Sequence, residues 1–211
     1  MKNKFTLSVI FFLLLSNYLF AQHREEKEQP KSEYSPSDAY ISVGSGINYN
    51  TGLLGVQFEK KFADKFSGYI GAGFGTWGDK ITVGGRYYFG EALTSAFSFS
   101  YTYVTGSKNV KANLYAVDST NLSSQQGKQV TMTYDLNPVS TINFSWLKYW
   151  KMGKRSRFNI ELGWSFLLNT VGDNYKVNDP VGIKLTDASK AAFNILQPGG
   201  LMVGIGFSFG L

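Results

Sequence analysis

From Ala39 to Leu211 the chain repeatedly alternates an apolar side chain with a small or polar one. The pattern is plainest at the C-terminus, where Leu201, Val203, Ile205, Phe207, Phe209 and Leu211 alternate with Met202, Gly204, Gly206, Ser208 and Gly210. Successive residues of a strand point to opposite faces, so this segment has one oily face and one face with almost no bulk. Its length matches the roughly 9 to 11 residues with which a tilted strand crosses a bilayer.

The same period predicts seven further strands. The first runs from Ala39 to Tyr49, with Ile41, Val43 and Ile47 opposite Ser42, Gly44, Gly46 and Asn48. A tight turn at Asn50-Thr51-Gly52 leads to the second, marked by Leu54, Val56, Phe58 and Phe62. Ile70, Ala72 and Phe74 mark the third, and Ile81, Val83, Tyr87 and Phe89 the fourth. The fifth carries Phe97, Phe99, Tyr101 and Tyr103 on one face. Ile142, Phe144 and Trp146 define the sixth, and the stretch from Phe158 to Leu168 the seventh. Two longer polar connections interrupt the series, Thr105 to Gln129 and Asn169 to Pro198. The segments Val110 to Val117 and Val130 to Leu136 predict a hairpin projecting beyond the spanning part, with Pro138 as the break. A short helix is expected near Thr186 to Phe193.

Alternation alone also fits a soluble ligand-binding barrel, with the oily faces turned inward. The composition of the polar faces decides between the two. A water-facing sheet carries Lys and Glu for solubility, whereas these faces are built from Gly, Ser, Thr, Asn and Tyr, which fit inside a narrow cylinder. Tyr40, Tyr49, Phe62, Phe66, Trp77, Phe89, Tyr103, Trp146, Tyr149, Trp150 and Phe158 fall near strand ends, where aromatic girdles meet lipid head groups. The expected fold class is therefore all-β: a transmembrane up-and-down antiparallel barrel of eight strands, closed so that no backbone group is left unpaired in lipid.

The N-terminal residues 1–21 carry Lys2 and Lys4, then an apolar run from Phe5 to Leu15, then Ala21, the layout of a cleaved signal peptide. Residues 22–38 are charged, contain Pro30 and Pro36 and have no apolar period, which predicts a disordered periplasmic leader. The barrel then occupies 39–211. The chain has no cysteine, which excludes a disulfide framework and a lipid-modified N-terminal Cys. Its formal net charge is +6. In an exported protein that charge points to anionic lipid head groups rather than nucleic acid.

Three charges fall on inward faces: Glu59, Arg86 and Glu161. They predict a lumen charge cluster, either an ion-pair plug or a gated ion path. Lys148, Lys151, Lys154, Arg155 and Arg157, with Tyr149 and Trp150 among them, predict a basic turn that snorkels onto lipid. Catalysis has little support, because the sole histidine, His23, lies in the leader. Without His or Cys in the barrel no metal site is expected, and no cofactor. The Gly68 to Gly78 stretch has no following helix and so does not read as a phosphate loop.

The signal ending in Ala, the eight alternating strands and the Gly206-x-x-Phe209-x-Leu211 terminus resemble the small eight-stranded outer-membrane β-barrel proteins of Gram-negative bacteria. The resemblance implies an outer-membrane location with the N-terminus in the periplasm. It also implies that Gly206, Phe209 and Leu211 form the terminal signal read by the barrel-assembly machinery; the family's usual last residue is Phe, and here it is Leu211. The expected function is non-enzymatic: a rigid cylinder presenting two long outer loops to lipopolysaccharide, a partner protein or a surface. A narrow pore for a small solute and an accessory subunit of a secretion or assembly machine are the alternatives.

Overall fold

A computed structural model describes residues 37–90, 93–118, 128–168, 174–179, 183–187, 189, 191 and 197–211. The expected signal peptide and all but the last two residues of the expected leader lie outside these residues, as does much of the expected helix near Thr186 to Phe193.

Twelve strands are present among the described residues: β1 (Ala39–Ile47), β2 (Leu54–Ala63), β3 (Phe66–Phe74), β4 (Asp79–Phe89), β5 (Ser95–Val104), β6 (Ser107–Asp118), β7 (Lys128–Leu136), β8 (Val139–Met152), β9 (Ser156–Leu167), β10 (Tyr175–Asp179), β11 (Ile183–Leu185) and β12 (Gly200–Gly210). Eight of them close a barrel in the order β1-β12-β9-β8-β5-β4-β3-β2, each antiparallel to its neighbours. The seam is the pairing of first strand with last, and the amide of Leu211 donates to the carbonyl of Ala39 at 3.0 Å. Both ends of the barrel chain therefore meet at one rim, the terminal rim.

The alternation sorts side chains as expected. Outward apolar residues such as Ile47, Phe99, Leu162 and Leu201 belong to a surface set between 37% and 73% exposed. Inward positions on every barrel strand are buried, and most are small or polar. A contiguous apolar surface of this extent is far beyond what a water-soluble monomer exposes. An apolar cluster inside the terminal rim is formed by Tyr88, Ala96, Leu147 and Tyr149, with Leu93 packed against it at a positive φ of 55°.

At the opposite rim the two long connections join. β6 and β7 pair as the expected hairpin, and β10 and β11 add to its two edges in the order β10-β7-β6-β11. Trp77, Val104, Met132, Tyr134, Leu136 and Val139 form a small dry core where this sheet meets the rim, and the Trp77 indole donates to the Asn137 carbonyl at 2.9 Å.

Two expectations need correction here. The strands flanking the basic segment are longer than expected: β8 continues through Met152 and β9 begins at Ser156, so the turn shrinks to 153–155. Four aromatic residues assigned to the girdles point inward instead: Tyr40, Tyr49 and Tyr149 into the barrel, and Trp77 into the dry core. The β1–β2 connection makes the expected tight turn at Asn50-Thr51-Gly52, and that turn lies inside the barrel. It bends inward through 48–53, with Asn48 at φ 51°, Gly52 at φ 83°, and the Gly52 amide donating to Tyr49 O at 2.8 Å. Gly52 takes a conformation that most side chains resist, and a Cβ there would also overlap the Phe74 carbonyl.

Candidate functional site in the barrel lumen

The lumen is filled in two tiers. Near the terminal rim, Glu59 is fully buried and accepts four hydrogen bonds: from Arg86 Nη1 at 2.5 Å, Arg157 Nη2 at 2.7 Å, Ser67 Oγ at 2.7 Å, and the Tyr88 hydroxyl. The register places these residues together, since Glu59 lies opposite Tyr40 on β1 and Tyr69 on β3, while Arg86 lies opposite Ser67. Arg157 stacks between two rings, its guanidinium carbon 3.8 Å from the Tyr40 centroid and 4.3 Å from that of Tyr149. Arg86 sits 4.4 Å over Tyr69 and reaches Gln57 Oε1 at 3.1 Å. One carboxylate thus holds two cations, and aromatic faces carry part of the remaining positive charge.

Two of the three inward charges expected to cluster do so: Glu59 and Arg86 form an ion pair. Glu161 stands apart, nearer the middle of the barrel, opposite Gly204 and Leu147. It accepts from Ser145 Oγ at 2.5 Å and Asn50 Nδ2 at 2.8 Å, and no cation lies within salt-bridge distance of it among the described residues.

The missing member of the cluster is Arg157. It was expected on the lipid boundary and is instead 4% exposed inside the barrel. The reason is phase, because Arg157 shares the inward face of β9 with Asn159, Glu161 and Ser165. Of the other basic residues, Lys148 faces outward on β8 and donates to Thr94 Oγ1 at 3.3 Å, while Lys151, Lys154 and Arg155 are exposed at the terminal rim.

The second tier is the inward-folded β1–β2 connection. Tyr49, Asn50 and Thr51 are all buried. The Tyr49 side chain lies against Gly44 and Gly46 of β1 and Gly204 and Gly206 of β12: a Cβ on Gly44 or Gly204 would run into its ring, one on Gly206 would meet Asn159 first, and one on Gly46 the β12 backbone. Thr51 fits against Gly55, Gly71 and Gly73 in the same way. Asn50 is the hub of a polar network. Besides its bond to Glu161, its Oδ1 accepts from Ser100 Oγ at 2.9 Å and Asn143 Nδ2 at 3.3 Å, and its backbone carbonyl accepts from Thr82 Oγ1 at 2.6 Å. The glycine face visible in the sequence is therefore crowded, with Tyr49 and Thr51 of the inward-folded connection filling most of the space.

This arrangement binds a loop tightly and leaves the acid, Glu59, committed to four donors. No group of three or more His, Cys, Asp or Glu able to hold a metal occurs among the described residues. At the seam, Gly206 faces Tyr49 and Asn159, while Phe209 and Leu211 project outward, Phe209 packing edge-on against Phe207 at 4.7 Å.

No family model matches the chain, and no curated protein matches it. Among solved structures, the N-terminal β-barrel domain of Pseudomonas aeruginosa OprF is similar, at 13% sequence identity and a TM-score of 0.42, over 81% of this chain and 95% of that one.

Proposed function

We propose that this protein is a non-enzymatic barrel of a Gram-negative outer membrane, N-terminus periplasmic. Its closed cylinder holds the four-stranded sheet at the cell surface, for contact with lipopolysaccharide, a partner protein or a surface. The single observation that carries the closed-barrel reading is the plug: Tyr49, Asn50 and Thr51 are buried inside the cylinder, above the Glu59–Arg86–Arg157 cluster. An eight-stranded cylinder has an interior only wide enough for side chains, and here those side chains are packed and bonded to one another. The apolar outer wall supports the membrane location, since every backbone group of a closed barrel is paired and an oily exterior suits acyl chains.

Planar-bilayer recording tests the closed state. The wild-type protein gives no stable single-channel steps. Reproducible steps from the wild type would replace this reading with a pore. The surface display has its own check: protease applied to intact cells cleaves between β6 and β7 and leaves the barrel as a heat-modifiable band.

A further inference from the structure

Lys80, on the inward face of β4, is 7% exposed. Unlike Arg86 and Arg157 it has no carboxylate within salt-bridge distance among the described residues, and its hydrogen bond is to the backbone carbonyl of Tyr49, at 3.3 Å. An ammonium group has three donors, and a cation withdrawn from water without a counter-ion is costly. Lys80 also lines a cavity of about 130 Å³ at the rim opposite the termini, beside the inward-folded loop. The other walls are glycine backbone, the apolar side chains of Ile47, Leu53 and Pro198, and two polar residues, Thr76 and Asn48, the Asn48 amide already donating to the Gly199 carbonyl at 2.6 Å. Gly75 leaves room for the lysine stem at the cavity wall, since a Cβ there would approach Lys80 Cε to 2.9 Å.

We propose that this cavity binds a small monocarboxylate, its carboxylate on Lys80 Nζ and its short hydrocarbon body against Ile47, Leu53 and Pro198. One cation among mostly apolar walls matches one negative charge on an apolar body. A phosphate would call for an arginine fork or a row of backbone amides at a helix N-terminus, and neither lines the cavity. The volume approaches that of an engineered apolar cavity of about 150 Å³ that takes up benzene, so a ligand of a few carbons fits. The site needs the fold alone: a conducting wild-type barrel would overturn the closed-barrel reading and leave this one standing.

The test is a titration of the full-length protein, in a detergent free of carboxylate, followed by the amide resonances of Gly46, Gly52 and Gly75. Butyrate, butanol and inorganic phosphate are the probes. Butyrate produces saturable shifts at these three amides, butanol binds about tenfold more weakly or worse, and Lys80→Met loses the butyrate response. Gly75→Val, which fills the cavity and keeps the lysine, loses it too, and serves where Lys80→Met does not yield a heat-modifiable barrel. Absence of saturable butyrate shifts in the wild type, equal response to butanol or phosphate, or an undiminished response in Gly75→Val would each overturn the proposal.

Discussion

Glu59 neutralises two guanidinium groups that have no other carboxylate within salt-bridge distance among the described residues. Replacing it with Gln keeps its shape and leaves Arg86 and Arg157 facing each other unneutralised. Breaking a buried pair on one side costs about 3 to 5 kcal/mol, so Glu59→Gln is expected to lower the urea midpoint for barrel unfolding by a corresponding amount, read from the heat-modifiable band. A variant as stable as wild type would mean that the cluster does not hold the interior. Glu59 and Arg86 were legible in the sequence because they sit in mid-strand, where the period is unbroken. Arg157 was not, because five basic residues within ten positions read as a solvated turn. Following the β9 alternation backward from Asn159 puts Arg157 on the inner face, and the same step on β8 and β4 does so for Tyr149 and Lys80.

The spanning strands declared themselves because their period is local, and so did the two arms of the β6–β7 hairpin. The addition of β10 and β11 did not: a chain returning from a distant connection to pair with an edge leaves no mark in its own periodicity. The inward fold of the β1–β2 connection was hidden for a related reason, since alternation says nothing about which way a loop bends. The one available clue was the excess of space, four glycines facing one another across two strands with nothing in phase to fill it. The hairpin also carries a pH-dependent tie. β6 bulges between Ser107 and Val110, and there the Asn109 amide, at φ 55°, donates to Asp135 Oδ1 at 2.8 Å. That bond, with a second from Asn178, holds the Asp135 carboxyl below the usual carboxylate range. A lowered pKa in the fold means that the contribution is complete above the ordinary value of about 3.9 and is lost as pH falls through the lower, folded one. The Asn109 amide resonance should therefore titrate with a midpoint below that of a free aspartate, and Asp135→Asn should abolish the transition. A midpoint at the ordinary value would remove the tie.

For the whole molecule the decisive property is the direction of the oily faces. Leu162, near the middle of β9, is 44% exposed on the outer wall, beside Trp146 and Val203 in register. If that wall faces acyl chains, Leu162→Arg costs about 2 to 4 kcal/mol, the penalty for a cation near the bilayer midplane. Urea titration of folding into lipid vesicles measures the loss. In a barrel bathed by water the same substitution on an exposed position would be close to neutral, so a negligible change would turn the molecule into a soluble one.

The tyrosine that fills the upper lumen sits across the join between the first and last strands. Two of its glycines come from β1 and two from β12, and they pair as Gly44 with Gly206 and Gly46 with Gly204. Sliding β12 by two residues keeps every oily side chain outside, so the alternation itself would tolerate the error. It would, however, bring Met202 or Ser208 beneath the ring, where the walls have no room. The ring thus proofreads the final zipping of the cylinder: only the correct alignment of the two chain ends lets it sit down.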